Sequence, residues 1–535
     1  MRIKSFLVGC VGGFIALTSA QAADLPVKAK PVEYVKICSL YGPGFYYIPG
    51  TDMCLKVGGY VRAQYEWNST QGLPFGSTYN GLYTSPVGSS PNPSIVNARF
   101  ERSGDSLQFT GRTMLTVDAR NQSEYGTIRG YLRIGGLMNS PESATFVAER
   151  AFIQFAGFTF GQAQSFFDIF HTTEVMSYFD AKTSGDTYNY GVKVLGYTAQ
   201  FGNGLSGTVS AELGHYKSVY GVANAAMGPW QIGRADQNTA GFSMPDIVGN
   251  LRWDQSWGYV GVSGAIHQVA AAYYGGANAE INGHPDNKYG WAASVGGQFY
   301  LPWLGAGDSI GANFVYSKGA LGYVTKAGGA WAIAHDNSIG VGWAQDGIYD
   351  NNIPNFGAGR TPIELTNAWS ITAGYEHFWN PRWRTSLYGG YTRVWYDQNA
   401  TNIVNQHLPT PPAGGLACGV AVEGAVMPPL SIANGQGNSC SPNFSFWQVG
   451  SRTQWNVNSA FYMGVDVTYT HLNTAYEGVR ASGLFAPGGA KLTSVALDDQ
   501  SVVSAIFRAP MNFEAGSVTP GRSYWSDRRE REGLN

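Results

Sequence analysis

The sequence predicts an all-β fold: a transmembrane, antiparallel, up-and-down β-barrel of about 16 strands, with short periplasmic turns and long extracellular loops. Three observations support it: an N-terminal export signal, strands with one apolar and one polar face, and connections that alternate between short and long. The composition agrees. The 535 residues include 71 glycines and 14% aromatics but only 13% charged residues, about half the usual share in soluble proteins.

Membrane-spanning helices do not fit this chain. Each would need about 20 consecutive apolar residues, and no segment after the export signal supplies them. Mean hydropathy is −0.15, as expected when apolar and polar residues are interleaved. Helical transporters are therefore excluded.

Residues 1–22 are predicted to be a cleaved signal peptide that exports the chain. Arg2 and Lys4 form its charged start, Phe6 to Leu17 its apolar stretch, and Ala20-Gln21-Ala22 its cleavage site. Losing those two charges changes the formal net charge from −2 to about −4. The alternatives are an uncleaved membrane anchor and a lipoprotein cleavage box ending at Cys10.

Cleavage leaves four cysteines, Cys38, Cys54, Cys418 and Cys440. The local pairs 38–54 and 418–440 are the simplest of three possible pairings, and export allows disulfides to persist. No Cys or His spacing resembles a zinc site, so neither a metal nor a cofactor is expected. The slightly acidic chain also lacks a basic patch motif, which argues against nucleic-acid binding.

Alternation of apolar and polar residues is clearest in five segments of the chain. In 58–67, Val61, Ala63 and Tyr65 share one face, while Arg62 and Gln64 lie on the other. All nine charged residues of the five segments fall on the polar face. A soluble sandwich also alternates, but its outer face would be charge-rich. Here Gln, Thr, Tyr and Arg dominate the polar face, and aromatics end the apolar face, as in a barrel with aromatic girdles.

Sixteen strands follow from this pattern. They are predicted at 57–67, 106–120, 125–136, 146–157, 158–164, 190–202, 205–217, 246–254, 258–268, 289–301, 308–318, 366–378, 383–396, 444–455, 460–471 and 499–513. Long loops are expected at 68–105, 165–189, 218–245, 269–288, 319–365, 397–443 and 472–498, with short connections between them. A medium connection at 137–145 lies on the same rim as the long loops, so 165–189 is the third loop on that rim. The predicted organisation is an N-terminal periplasmic-side segment, 23–56, a barrel, 57–513, and a polar tail, 514–535.

Several sequence blocks resemble the porin family of alphaproteobacteria, typified by the major porins of Brucella and Bradyrhizobium. They are Ala23-Asp24-Leu25-Pro26 with Lys28, VKICSLYGPGFYY at 35–47, IPGT at 48–51, Cys54, GGYVR at 58–62, ERAFIQFAGFTFGQAQSFFD at 149–168, YTAQFGNG at 197–204 and SVVSAIFR at 501–508. The blocks span the whole mature chain. The resemblance implies a homotrimeric, sixteen-stranded, passive water-filled channel for small hydrophilic solutes and ions. It would cross the lipid of the bacterial outer membrane many times, after folding by the outer-membrane assembly machinery.

One feature departs from the family. Porins of this type end at or near the aromatic residue of the last strand, whereas here Phe513 is followed by the polar tail 514–535. We expect this tail to be disordered and to weaken the terminal signal that the assembly machinery reads.

The resemblance also implies that the third long loop, 165–189, folds inward to narrow the channel. The candidate constriction pairs a basic wall with loop acids that oppose it, separated by a narrow water path. The basic wall comprises Arg62, Arg112, Arg129, Arg133 and Arg150, and the loop acids are Asp168, Glu174, Asp180 and Asp186. The alternative is that these are ordinary solvated charges of a lumen and a loop.

Two other functions can be formulated from the same residues. A binding protein on a barrel scaffold would be either a sugar-specific channel, with lumen tyrosines such as Tyr60, Tyr131, Tyr388 and Tyr462, or a surface adhesin. A hydrolase would use Ser165, Asp168 and His171. Since no Gly-x-Ser-x-Gly context accompanies them, enzymatic activity and catalytic residues are not expected.

Overall fold

The fold is a closed antiparallel barrel of 16 strands, each paired with the next and the last paired with the first. The computed structural model describes residues 36–69, 107–139, 143–171, 176–179, 183–187, 191–213, 221–225, 238–241, 243–274, 279–325, 329–335, 338–350, 360–406, 440–478, 480–482 and 494–513. The predicted signal peptide and the tail 514–535 lie outside these residues, as do Cys418, Glu174 and Asp180.

The strands confirm the predicted fold class and strand number. The first eight are β1 Cys54–Asn68, β2 Leu107–Ser123, β3 Gly126–Asn139, β4 Ser143–Phe155, β5 Phe158–Ala163, β6 Val192–Gly202, β7 Leu205–Leu213 and β8 Asp246–Gln255. The others are β9 Gly258–Val269, β10 Lys288–Tyr300, β11 Ser309–Lys318, β12 Asn367–Asn380, β13 Trp383–Trp395, β14 Phe444–Asn456, β15 Tyr462–Asn473 and β16 Gln500–Asn512. Each predicted strand overlaps one of these, with ends that differ by a few residues.

The apolar face of the strands points out of the barrel and the polar face points into the lumen. Val61 and Tyr65 are about half exposed, whereas Gln64 between them is fully buried. Aromatic pairs mark the outer face near the strand ends, for example Trp383 and Trp455, whose rings stack 5.8 Å apart. A barrel meets lipid in this way because closure leaves no strand edge unpaired in the membrane.

Short connections lie on the rim where β1 begins and β16 ends. The connection from β10 to β11 is held by Asp308, whose carboxylate accepts hydrogen bonds from the Tyr375 hydroxyl (2.6 Å) and the Phe378 backbone N–H (2.8 Å). His377 Nδ1 lies 2.7 Å from the same carboxylate. Burial acts to raise the pKa of Asp308, but these hydrogen bonds outweigh it and hold the pKa below its usual value.

An N-terminal hairpin precedes the first barrel strand. Its antiparallel pairing joins Ile37 to Tyr46, and Tyr47 pairs in turn with Cys54 at the start of β1. A disulfide joins Cys38 to Cys54, as predicted. Cys440 is also disulfide-bonded, but its predicted partner Cys418 is outside the described residues.

The long loops pack together over the opposite rim, which their Gly- and Pro-rich composition did not predict. They contribute a four-stranded sheet (Gly329–His335, Ser338–Ala344, Arg480–Ser482, Ser494–Leu497), a three-stranded sheet (Val222–Asn224, Gly347–Tyr349, Glu364–Leu365) and helices Ala279–Asn282 and Gln398–Gln406. Trp343 and Tyr476 are almost fully buried in this packing, with ring centroids 5.8 Å apart. One apolar cluster unites these loop residues with lumen-facing side chains of strands β8–β16, such as Val248 and Val502.

Within the described ranges, none of the helices has the length and apolar character needed to span a bilayer.

Candidate functional site: the lumen and its inward loop

The loop between β5 and β6 lies inside the barrel. Its first part lies against β7, β8 and β9. The Phe166 backbone N–H donates to Glu212 Oε1 (2.9 Å). Asn250 Nδ2 donates to the Phe166 carbonyl (2.6 Å), and the Ser263 hydroxyl donates to the Phe167 carbonyl (2.8 Å).

Described residues farther along the loop lie against β12, β13 and β16. The Thr372 hydroxyl of β12 donates to the Thr183 carbonyl (2.9 Å), and the Ser386 hydroxyl of β13 donates to the Met176 carbonyl. Arg508 Nη2 of β16 donates to the Tyr178 carbonyl (2.7 Å). These hydrogen bonds therefore hold the described part of the loop inside the lumen, against strands of the β7–β16 side of the barrel.

Glycines on this wall allow the loop to approach. A Cβ at Gly311 would overlap the Phe170 ring, and one at Gly374 would overlap the Met176 sulfur. A Cβ at Gly390 would likewise overlap the Thr183 side chain. Glycine in a strand often marks such a close approach.

Tyr178 is the most strongly held side chain of the loop. Its ring lies beneath two guanidinium groups, those of Arg508 (4.5 Å to the centroid) and Arg452 (5.2 Å). Burial raises the pKa of the Tyr178 phenol above its usual value. Its hydroxyl therefore stays protonated and donates to Gln454 Oε1 (2.9 Å).

The five arginines predicted for the basic wall lie on β1–β4 together with Arg120, and their register is unusual. Three pairs of arginines lie directly opposite each other on neighbouring strands: Arg62 and Arg112, Arg120 and Arg129, and Arg133 and Arg150. Directly opposed like charges destabilise a sheet, so this wall requires compensation.

Two carboxylates supply that compensation. Glu149 pairs with Arg112 and with Arg133, whose Nε lies 2.9 Å from Glu149 Oε2. Asp118 pairs with both Arg120 and Arg129 (2.9 Å each).

Glu149 reaches the lumen because the pairing of β3 with β4 contains a β-bulge beside it. The bulge turns two consecutive residues, Glu149 and Arg150, to the same side, and both are buried. Simple alternation would have placed them on opposite faces, and for this reason the sequence did not identify Glu149. No periodic signal could have found it.

The two described loop acids lie within the hydrogen-bond network of the loop. The Asp168 carboxylate accepts hydrogen bonds from the Thr187 backbone N–H (2.7 Å) and hydroxyl. Asp186 Oδ2 lies 3.9 Å from His171 Nδ1. The Ser165 hydroxyl accepts a hydrogen bond from the Phe167 backbone N–H (3.1 Å).

The tyrosines suggested for a sugar path make packing and hydrogen-bonding contacts. Tyr388 is buried and donates from its hydroxyl to Asp466 Oδ1 (2.7 Å). Tyr131 stacks on Phe152 at 5.1 Å. Tyr462 stacks on the loop residue Tyr178 at 6.4 Å.

Metal ligands are a further possibility for such charged groups. Among the residues with described positions, no group of three or more His, Cys, Asp or Glu side chains is arranged to hold a metal ion.

A closed barrel with an apolar outer face, a polar lumen and an inward-folded loop defines a membrane channel. Residues 24–506 match the profile described as a porin subfamily. The chain belongs to this porin family and is a β-barrel channel of the outer membrane.

The relatives agree. The chain is 27% identical over 395 residues to porin Omp2b of Brucella abortus (strain 2308), which covers 64% of this chain and 98% of the relative. Porin Omp2b of Brucella suis biovar 1 (strain 1330) matches to the same extent. The outer membrane channel DcaP of Acinetobacter baumannii shares the fold, with a TM-score of 0.52, 13% identity and coverage of 87% of this chain and 99% of that chain.

Proposed function

We propose that the solutes of this porin pass between the inward loop and the basic wall of β1–β4, and that the wall makes the channel prefer small anions. Small hydrophilic solutes would cross passively, without catalysis. The observation that supports this proposal most directly is the register of the wall, in which three pairs of arginines lie opposite each other on neighbouring strands. Such pairs lower the stability of the sheet, and their presence is explained if the positive charge attracts the anions that pass through the channel.

The position of the loop supports this path. Its hydrogen bonds to Glu212, Asn250, Ser263, Ser386 and Arg508 hold it against strands β7–β16. The extracellular loops pack against the same strands through the apolar cluster. Strands β1–β4 then border the free part of the lumen, where the partly exposed arginines Arg62 and Arg133 act on passing ions.

The predicted loop acids belong to the same proposal. Asp168 and Asp186 would supply negative charge opposite the arginines, and Glu174 and Asp180 are assigned the same role from the sequence alone. A transverse field between them would orient water and favour polar over apolar solutes. We further propose that three copies assemble through outward apolar faces of the barrel.

Selectivity in planar bilayers tests the path. Replacing Arg112 and Arg133 by glutamine should shift the reversal potential in a salt gradient toward cation preference and raise the single-channel conductance. Arg393→Gln is a matched control, because Arg393 is exposed on the outer face of β13. If the double variant and this control give the same reversal potential, the proposed path is wrong.

A second variant guards against misfolding. Removing both arginines leaves the buried Glu149 without these two partners. The triple variant Arg112→Gln/Arg133→Gln/Glu149→Gln removes that unpaired carboxylate and still lowers the charge of the wall. It should shift the reversal potential in the same direction, by less.

A further inference from the structure

The N-terminal hairpin, residues 36–47, covers the lumen side of the barrel at the periplasmic rim. Cys54 lies directly opposite Arg120, and Lys56 directly opposite Asp118. Asp118 faces the lumen, where it binds Arg129. Side chains two residues apart on a strand share a face, so Cys54 and Lys56 face the lumen too. The Cys38–Cys54 disulfide therefore fastens the hairpin to the inner face of the wall.

Aromatic rings of the hairpin contact the cations of this rim. The Arg120 guanidinium lies 5.0 Å from the ring centroid of Phe45 and 5.6 Å from that of Tyr41. The Lys56 ammonium lies 6.0 Å from the centroid of Phe45. Arg120 also forms a two-point hydrogen bond with Asp118 (3.0 and 2.9 Å). Its planar group is thus fixed from two sides, by a carboxylate and by aromatic faces.

The cluster is positive overall. Lys36, whose ammonium lies 5.0 Å from the ring centroid of Tyr47, joins Lys56, Arg120 and Arg129. Two carboxylates offset part of this charge: Asp118, and Asp52, which is exposed in the adjoining turn. Four cations against two carboxylates leave a formal charge of +2.

Arg129 belongs to both this cluster and the basic wall, but Lys56 and Arg120 lie apart from the two arginines tested at the constriction. Arg112 and Arg120 are separated by eight residues of β2, roughly 27 Å along the strand. Arg133 lies opposite Thr116, which is four residues from Arg120, roughly 14 Å. Both separations exceed the Debye length of about 10 Å at 0.1 M salt. The two sets of charges therefore act on a permeating ion one after the other.

We propose that the disulfide-closed hairpin forms a second selectivity element at the periplasmic mouth, where it positions Arg120 and Lys56 to attract small anions. The ligand class is a small hydrated anion such as chloride, phosphate or a short carboxylate. The inference rests on the channel function but not on the path past the arginine constriction. Phe45 and Tyr41 are positioning residues here, because they act through Arg120.

Single-channel recording in a tenfold KCl gradient, applied in both directions to the same channel, tests this proposal. A fixed charge at one mouth acts most strongly when the dilute solution bathes that mouth, because screening is then weakest. The variant Lys56→Gln/Arg120→Gln should lower the anion-to-cation permeability ratio by about twofold in one gradient direction. In the opposite direction the ratio should change little.

The hairpin itself is tested by Tyr41→Ala/Phe45→Ala, which keeps every charge. It should change the ratio in the same direction-dependent way, by less. Phe45→Tyr keeps an aromatic ring beside Arg120 and should therefore give the wild-type permeability ratio in both gradient directions. Leu40→Ala is the matched control, since Leu40 lies in the same hairpin and is 62% exposed.

The outcomes separate the two proposals. Constriction variants at Arg112 and Arg133 should change the ratio equally in both gradient directions. If Lys56→Gln/Arg120→Gln folds to a heat-modifiable barrel and leaves both ratios unchanged, the second selectivity element is wrong and the constriction stands. If the double variant does not fold, Lys56→Gln alone decides, with the same direction-dependent loss expected.

Discussion

Glu149 should control both the stability and the charge preference of the channel. It is buried at 1% exposure in a β-bulge of β4 and pairs with Arg112 and Arg133. Arg62 lies directly opposite Arg112, and Arg150 directly opposite Arg133. The substitution Glu149→Gln keeps the size of the side chain and removes its negative charge, which compensates these arginines.

The cost can be worked out from this geometry. Losing one member of a buried ion pair costs about 3–5 kcal/mol, because the partner stays buried without compensation. Arg133 keeps some access to water, so the lower end, about 3 kcal/mol, is expected for Glu149→Gln.

Heat-induced unfolding in detergent is the suitable assay, because such barrels are compared by the rate at which they unfold. If half or more of the 3 kcal/mol lowers the unfolding barrier, unfolding becomes about tenfold faster or more. The same variant should shift the reversal potential toward anions, since one negative charge leaves the wall.

Asp254→Asn is the matched control. Asp254 pairs with Arg252 at 2.9 Å, but their side chains are 21% and 17% exposed. A partly hydrated pair of this kind contributes about 0–1 kcal/mol. If Glu149→Gln unfolds no faster than Asp254→Asn, the compensation assigned to Glu149 is incorrect.

Three further predictions concern the loop, a turn and the tail. Gly311→Val should lower the single-channel conductance, because a side chain there pushes Phe170 and its loop into the passage; Gly130→Val, where a Cβ meets nothing within 4 Å, should not. The depressed pKa of Asp308 means that its contribution to stability is present above the unfolded pKa of about 3.9 and is lost as the pH falls through the folded value. Asp308→Asn should therefore flatten the acid limb of a stability-against-pH curve, and an unchanged limb would exclude this role. Deleting 514–535 should raise the yield of folded trimer, and an equal yield would show that the tail does not hinder assembly.

Most of the barrel could be predicted from the sequence because its physics is periodic. Arg62, Gln64 and Glu66 alternate with Val61 and Tyr65 since one face meets lipid and the other water. The strand number followed from counting such segments. The ends of the strands were less certain, because pairing continues wherever the neighbouring strand provides a partner.

The site could be predicted only where it follows this period. The period placed the five arginines of the proposed basic wall on the polar face, and their role at a constriction stays a prediction. Glu149 was missed because a bulge breaks the alternation. The packing of the outer loops was also missed, since Trp343 and Tyr476 come together from loops more than 130 residues apart. Contacts of that kind depend on tertiary structure and leave no local pattern.

The pairing of β1 with β16 has a consequence for biosynthesis. Tyr60 lies opposite Asn512 and Asn68 opposite Ser504, so the ring cannot be sealed until nearly the whole polypeptide has been made and exported. Bringing such distant segments together costs about 5 kcal/mol of chain entropy. Until then β1 exposes unpaired N–H and C=O groups, to which a neighbouring nascent chain can add. Residues 46–47 of the N-terminal hairpin pair with Cys54 and Leu55, the first two positions of that edge. This pairing can form before the last strand is made, and it protects the start of the edge from such addition.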